Sequence, residues 1–501
     1  MRWLISGLLV LIVGTYLFFT FRRPDHQDVM AEATWHAPIM PESPAGAQVA
    51  RYLEAFNSGD EKALSAYVHD HFTPVGPGGS TLDDRLRSQQ RLYNSSRGLN
   101  VFQVNEPDGG QVELIAQLRL TQQWRQMTFM VEDAPPHKIS GIRIVPADVP
   151  AIPEHTAQQP IRPALQAYLD RLVKADQFSG VVVIARRGQT VFAESCGLAD
   201  QERRIPNTLD TPFHYASVGK MFTGVAIGQL AEADKLDFDD TLDKHLPDYP
   251  VEVARRITLD HLLTHRSGIL DYFEAAAELE KVRGSDDPQQ DYLSIFSKKP
   301  LRFTPGERFE YSNSNYILLG AIVERISGQP FEQYLDEHIF TPVGMTSTTL
   351  DPNGRTAVKP AIGYTELDRD GKITPGSRRA NTVHATGRGG AAGGGVTTAG
   401  DMVKFAEALR EHRLLSPAIT SALLADQVAS PRPGERYARG FISRDSSQGR
   451  IVGHSGGFPG VDAQVDVYEN GWTVVVLANN EAVGEPVARH IENLLAAESG
   501  K

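Results

Sequence analysis

Two hairpin signals stand at opposite ends of one long stretch of this chain, and they limit what it can fold into. Val461 to Tyr468 and Trp472 to Ala478 are apolar runs flanking Asn470-Gly471, the strongest short hairpin dipeptide. Far upstream, Gly180 to Ala185 and Thr190 to Glu194 flank a turn at Arg187-Gly188. Between them, residues 221–430 carry mostly helical patterning with long loops. Strand pattern at both ends of a helical insert predicts early and late strands in one antiparallel sheet, flanked by helices and carrying a helical subdomain. A helix through Leu165, Tyr168, Leu169 and Leu172 opens this stretch, and one with Val487, Ile491, Leu494 and Leu495 on a single face closes it. The expected fold class is mixed α and β (α+β), over residues 164–501.

Residues 147–163 are proline-rich and read as a linker. Ahead of them, residues 46–146 read as a separate small α+β module. Val49, Tyr52, Leu53 and Phe56 share one helical face, Ala63, Leu64, Tyr67 and Val68 start a second, and Val112 to Leu120 alternates as a strand does. Trp124 to Val131 and Ile139 to Ile144 look like further strands. The phrase from Tyr52 to Asp60 resembles the opening helices of NTF2-like domains. Residues 24–45 read as another linker. Residues 1–23 hold an uncharged apolar run, Trp3 to Phe21, between Arg2 and Arg22-Arg23. It reads as a signal peptide or a membrane anchor, with a buried core helix as the plainer alternative. Its length favours an anchor, since the nearest small-residue cleavage site, Ala31-Glu32-Ala33, lies far downstream. Either way the bulk of the chain is expected in a bacterial cell envelope, attached to the membrane or periplasmic.

The net charge is −12, and the arginine pairs are scattered without a basic block. Nucleic acid is therefore not an expected partner. The one cysteine, Cys196, can make neither an internal disulfide nor a thiolate metal cluster. His261 and His265 lack the glutamate and third ligand of a zinc site, and the glycine-rich run 387–395 lacks the Gly-Lys-Ser/Thr close of a phosphate loop. No metal or cofactor is expected.

Three short motifs carry chemistry. Ser217-Val218-Gly219-Lys220 heads a helical stretch, where residues three apart share a face. A lysine made neutral by burial can take the serine proton. Alone, the motif fits an ordinary capped helix start, but the bulky neighbours Phe213, Tyr215, Met221 and Phe222 argue against a solvated turn. Tyr311-Ser312-Asn313 joins a hydroxyl that can relay a proton to an amide that can hold a carbonyl; a core tyrosine fits the first position equally well. Gly453-His454-Ser455-Gly456-Gly457 reads as a loop before the last hairpin, either close to a ligand or simply a solvated turn.

Taken together, in the order S-x-x-K, Y-x-N, H-x-G, the motifs make the chain resemble the serine β-lactamase and penicillin-binding family, in its class C-like branch with esterases and D-amino-acid peptidases. Leu262-Leu263-Thr264-His265-Arg266-Ser267-Gly268-Ile269 is similar to that family's L-L-T-H-T-S-G-L, and Gly393 to Met402 to its A-G-G-L-x-S-T-A-x-D-L. The resemblance implies that Ser217 is acylated, with Lys220 and Tyr311 moving its proton. It implies that Asn313 orients lysine and substrate, and that the Ser217 and Gly457 amides form an oxyanion hole. His454-Ser455-Gly456 replaces the usual K-T-G of lactamases, so a fixed cation for a substrate carboxylate is missing; Arg388 could restore one. The expected activity is hydrolysis of a small or peptide-like ester or amide, carboxylesterase or D-amino-acid peptidase in kind, with weak or no β-lactamase activity. The alternative is a non-catalytic or slow-acylating receptor of cell-wall or acyl ligands. A third possibility gives the ligand to the small module, through a pocket lined by Tyr52, Trp124 and Phe129.

Overall fold

Trp472–Ala478 pairs antiparallel with Gly180–Arg186, with Val475 opposite Val183. The two ends of the long stretch therefore do share a sheet. The computed structural model describes residues 40–108, 110–147, 161–282, 288–351, 359–367, 378–381, 389–432 and 434–499. The expected N-terminal membrane segment, most of each linker and Arg388 lie outside the described residues. Among the described residues, no helix is long and apolar enough to cross a membrane.

By internal packing the chain forms two units, a larger one of Phe178–Ile491 and a smaller one that includes residues 40–177 and Glu492–Glu498. The division falls at Gln177, a little beyond the sequence-based boundary at residue 164. Helix Ile161–Lys174 groups with the smaller unit, where the buried Tyr168 donates to the Thr121 carbonyl at 3.0 Å.

In the smaller unit, helices Pro44–Asn57, Glu61–His71 and Leu82–Ser96 precede strands Leu99–Asp108, Gln111–Leu118, Trp124–Val131 and Ile139–Pro146, each paired antiparallel to the next. Pro44 suits a first helical turn, and Ser43 Oγ accepts from the Gly46 amide at 2.9 Å. The alternating residues Val112, Leu114, Ala116 and Leu118 are all fully buried. Helix Leu82–Ser96 and strand Leu99–Asp108 were not anticipated. That helix is mostly polar, and its clearest mark is the capping box of Thr81 and Asp84. Tyr52 and Phe129 meet edge-on with centroids 5.0 Å apart, and the Tyr52 hydroxyl is spent on Gln89 Oε1 at 2.5 Å. Trp124 is buried against Phe102. These side chains fill a core, which weakens the idea of a ligand pocket among them.

In the larger unit, among the described residues, the antiparallel sheet runs in the order Val428–Ala429, Glu435–Tyr437, Ile442–Ser446, Gly449–Phe458, Val461–Tyr468, Trp472–Ala478, Gly180–Arg186, Gln189–Cys196. Helix Lys220–Glu232 is apolar on every side and buried accordingly, through Met221, Phe222, Val225, Ile227 and Leu230. The Phe222 ring meets Tyr215, Phe340 and Phe405 edge-on at 4.9–5.5 Å. Such pairs add about 1 kcal/mol each beyond area burial. They fix the start of the helix, and with it the turn that carries Ser217. Helix Asn313–Ser327 buries Tyr316, Leu318, Leu319 and Ile322 beside it.

Candidate active site

Ser217 sits on a single 3-10 turn, Ala216–Gly219, that runs directly into helix Lys220–Glu232. Ala216, just before it, is held at φ 45°, a left-handed conformation that costs a residue with a Cβ about 1 kcal/mol or more. Glycines press on this turn from two sides. A Cβ on Gly456 would lie 2.8 Å from the Ser217 amide nitrogen, and one on Gly393 would lie 3.1 Å from it. Gly393 of the glycine-rich run thus lies directly against the serine turn.

Lys220 is completely buried. Its Nζ lies 2.7 Å from Asn313 Oδ1, 2.5 Å from the Ala392 carbonyl and 3.2 Å from Ser217 Oγ. Burial pushes its pKa down to about 7, against a smaller upward pull from the Asp271 carboxylate. A neutral amine has two N–H bonds and one lone pair. Asn313 and Ala392 take the N–H bonds, so the lone pair is left for the Ser217 hydroxyl. Rings of Tyr311 and Tyr316 stand 4.9 and 5.3 Å from Nζ and favour the charged form when the proton returns.

Tyr311 is hydrogen-bonded to Ser217, and burial holds its pKa above the ordinary tyrosine value. Asn313 cannot turn its amide over. Its Nδ2 donates to Asp271 Oδ2 at 2.8 Å, and its backbone amide donates to the same oxygen at 3.0 Å. Asp271 is 2 % exposed, also accepts from the Phe273 amide, and has its pKa raised by burial.

The third motif departs from expectation. His454-Ser455-Gly456-Gly457 is not a loop but the second half of strand Gly449–Phe458. Glycines are poor strand formers, which is why the sequence pointed elsewhere. Here they admit neighbouring backbone, the Val465 carbonyl at Gly453 and the serine turn at Gly456. His454 is 2 % exposed, neither a solvated turn residue nor a free donor. Its Nε2 lies 2.9 Å from the Tyr437 hydroxyl and its Nδ1 2.5 Å from the Ser455 carbonyl. Both ring nitrogens are used inside the protein, so the ring braces the strand and offers a substrate neither charge nor a free N–H. Burial first, and the Lys220 charge second, push its pKa down to about 3. Ser455 lines a small charged cleft with Arg432, Glu435, Arg444 and Asp466. Strand Ile442–Ser446 accompanies this strand only as far as Gly453. Beyond it, the edge from His454 to Phe458 has no further strand among the described residues.

The family model named Beta-lactamase matches residues 165–498. The chain belongs to the beta-lactamase family. Within this family it is 29% identical over 334 residues to penicillin-binding protein 4* of Bacillus subtilis (strain 168), covering 64% of this chain and 72% of that one. A solved penicillin-binding protein from Bacillus halodurans is 34% identical, with a TM-score of 0.59 over 65% of this chain and 99% of its own. A solved D-stereospecific amidohydrolase from Streptomyces is 26% identical, with a TM-score of 0.53 over 67% of this chain and 98% of its own.

The structure brings Ser217, Lys220, Tyr311 and Asn313 into one hydrogen-bonded cluster, with Gly456 against it. Motif reading missed Asp271, Tyr437 and the Ala392 carbonyl. His265 enters the sequence reading only through the zinc spacing it fails to complete and the family phrase it belongs to. A signal for Asp271 existed: an acid between the bulky Leu270 and Tyr272, just after that phrase. Tyr437 lies in a charged stretch and carries none.

Proposed function

We propose that this beta-lactamase-family chain is a serine hydrolase that works through an acyl-enzyme on Ser217. The observation that carries this reading is the buried Lys220 amine, 3.2 Å from Ser217 Oγ and with a pKa near 7. Ser217 Oγ attacks the substrate carbonyl as its proton passes to Lys220. Tyr311 then supplies a proton to the departing alcohol or amine and is reprotonated by Lys220, the two titrating as a coupled pair. Water attacks the acyl group in the second half, its proton passing to the Lys220–Tyr311 pair and from there to Ser217 Oγ, so that the acid leaves and Ser217 is regenerated. The oxyanion falls to the amides of Ser217 and Gly457. A two-residue hairpin closes on a hydrogen-bonded pair, here Phe458 and Val461, so alternation turns the Gly457 N–H toward the open edge.

The substrate is an ester or amide. The amidohydrolase relative supports the amide side of this reading. The fully engaged His454 supports substrates without a carboxylate anchor, and hence weak or no lactam turnover. The penicillin-binding relatives and the apolar run at residues 3–21 support a place in the bacterial envelope. The smaller unit is an accessory module, its helices-then-sheet order being compatible with the NTF2-like resemblance.

The test is labelling by a fluorophosphonate probe and turnover of a nitrophenyl ester and a chromogenic cephalosporin, beside Ser217→Ala. Labelling and ester turnover that vanish in the variant, with little cephalosporin cleavage, are expected. Rapid cephalosporin turnover would overturn the substrate reading and point to Arg432, whose charge bears on Tyr311 and His454. A burst of acylation without turnover would favour the slow-acylating receptor that the penicillin-binding relatives suggest.

A further inference from the structure

Behind the site, three buried side chains form a hydrogen-bond chain that no step of the proposed reaction uses. The Ser312 amide donates to His265 Nδ1 at 3.1 Å. His265 Nε2 lies 3.1 Å from the Tyr437 hydroxyl, which lies 2.9 Å from His454 Nε2. His454 Nδ1 closes the chain on the Ser455 carbonyl at 2.5 Å. His265, Tyr437 and His454 are each 2 % exposed or less.

The two ends fix the proton on each ring. A backbone N–H can only donate, so His265 Nδ1 is an acceptor and a neutral ring carries its proton on Nε2. A carbonyl can only accept, so His454 carries its proton on Nδ1 and its Nε2 needs a donor. Tyr437 satisfies both rings, accepting from His265 and donating to His454. The Tyr316 hydroxyl is a rival acceptor for that proton. It gives its own proton to the Leu263 carbonyl at 2.8 Å and leaves His454 as the ring that would otherwise be unsatisfied. The His265 backbone is held at φ 57°, an uncommon conformation for a residue with a Cβ, where its ring also stacks on Tyr311 at 4.1 Å.

We propose that Tyr437 is a positioning residue that, through two neutral histidines in opposite tautomers, ties strand Gly449–Phe458 to the segment Tyr311–Asn313. The brace keeps the Gly457 amide in register with the Ser217 amide. This catalytic consequence rests on the reading of Ser217 as the acylated group. The brace itself does not.

The full chain and its Tyr437→Phe variant are compared in two ways. Nitrogen-15 spectra of the histidines, taken without substrate, should show His265 protonated on Nε2 and His454 on Nδ1. The His454 Nε2 signal should shift in the variant. Ester turnover should fall about tenfold or more in kcat with KM within about twofold, because an oxyanion contact is made chiefly in the transition state. His265→Gln and the double variant complete a cycle, and members of one chain should give a double no more than about twofold slower than the worse single. Histidines protonated on the same ring position, multiplying losses, or a rise in KM alone would overturn the proposal. Should Tyr437→Phe fail to fold, the wild-type tautomers alone decide. Activity surviving in Ser217→Ala would sink the hydrolase reading, and the tautomers would still judge the brace.

Discussion

Gly456 and Ser217 belong to segments far apart in the chain, yet a single methyl on Gly456 would stand 2.8 Å from the Ser217 amide nitrogen. The site has no slack there. Gly456→Ala should push the strand and the serine turn apart, and the side chain cannot relieve the clash by rotating. On the proposed mechanism kcat/KM falls about a hundredfold, the scale of a lost oxyanion donor. Steady-state kinetics on the nitrophenyl ester, with a melting curve beside them, measure it. Unchanged kinetics would mean that the Ser217 amide is not part of the oxyanion hole.

The pKa of Lys220 near 7 sets a pH profile. On the proposed mechanism the working form is the neutral amine, so kcat/KM should climb as pH rises through about 7, tenfold per unit below it. A flat profile between pH 5.5 and 8 would exclude Lys220 as the base.

The same burial has a stability side. Unfolded, a lysine titrates near 10.4, so between there and about 7 the unfolded chain binds a proton that the folded chain lacks. Lys220 therefore weighs against folding increasingly as pH falls from about 10.5 to about 7, and constantly below that. Relative to Lys220→Met, the wild type should gain about 3 kcal/mol or more between pH 7 and pH 10. Urea denaturation of both proteins at the two pH values measures the change. A gap that does not move would mean that Lys220 stays charged in the fold.

Asp271 raises the Lys220 pKa by its charge and fixes the Asn313 amide by its oxygen. Asp271→Asn should therefore move the acid limb of the pH profile to lower pH while reducing kcat, about tenfold for a loosened buried hydrogen bond. A limb that moves upward would contradict the sign of this interaction.

Much of this was legible in the chain because the relevant partners are close in sequence. Ser217 and Lys220 are three residues apart, Tyr311 and Asn313 two, and the last hairpin announces itself with Asn470-Gly471. What was not legible depends on approach between distant backbones. The glycines at 393, 453 and 456 are visible as letters, but only the fold says that Ala216, Val465 and Ser217 lie against them. His454 shows the same limit. Its residue type suggested a neutral ring, in keeping with the downward push of burial on its pKa, but not that Tyr437 and Ser455 occupy both nitrogens.

The pairing of Gly180–Arg186 with Trp472–Ala478 joins segments made roughly 290 residues apart. On an emerging chain, Ser217 and Lys220 are synthesised long before the strand that bears Gly456 and Gly457 exists to face them. On the proposed mechanism, a chain truncated before strand Gly449–Phe458 therefore holds Ser217 and Lys220 but lacks the Gly457 amide that completes the oxyanion hole.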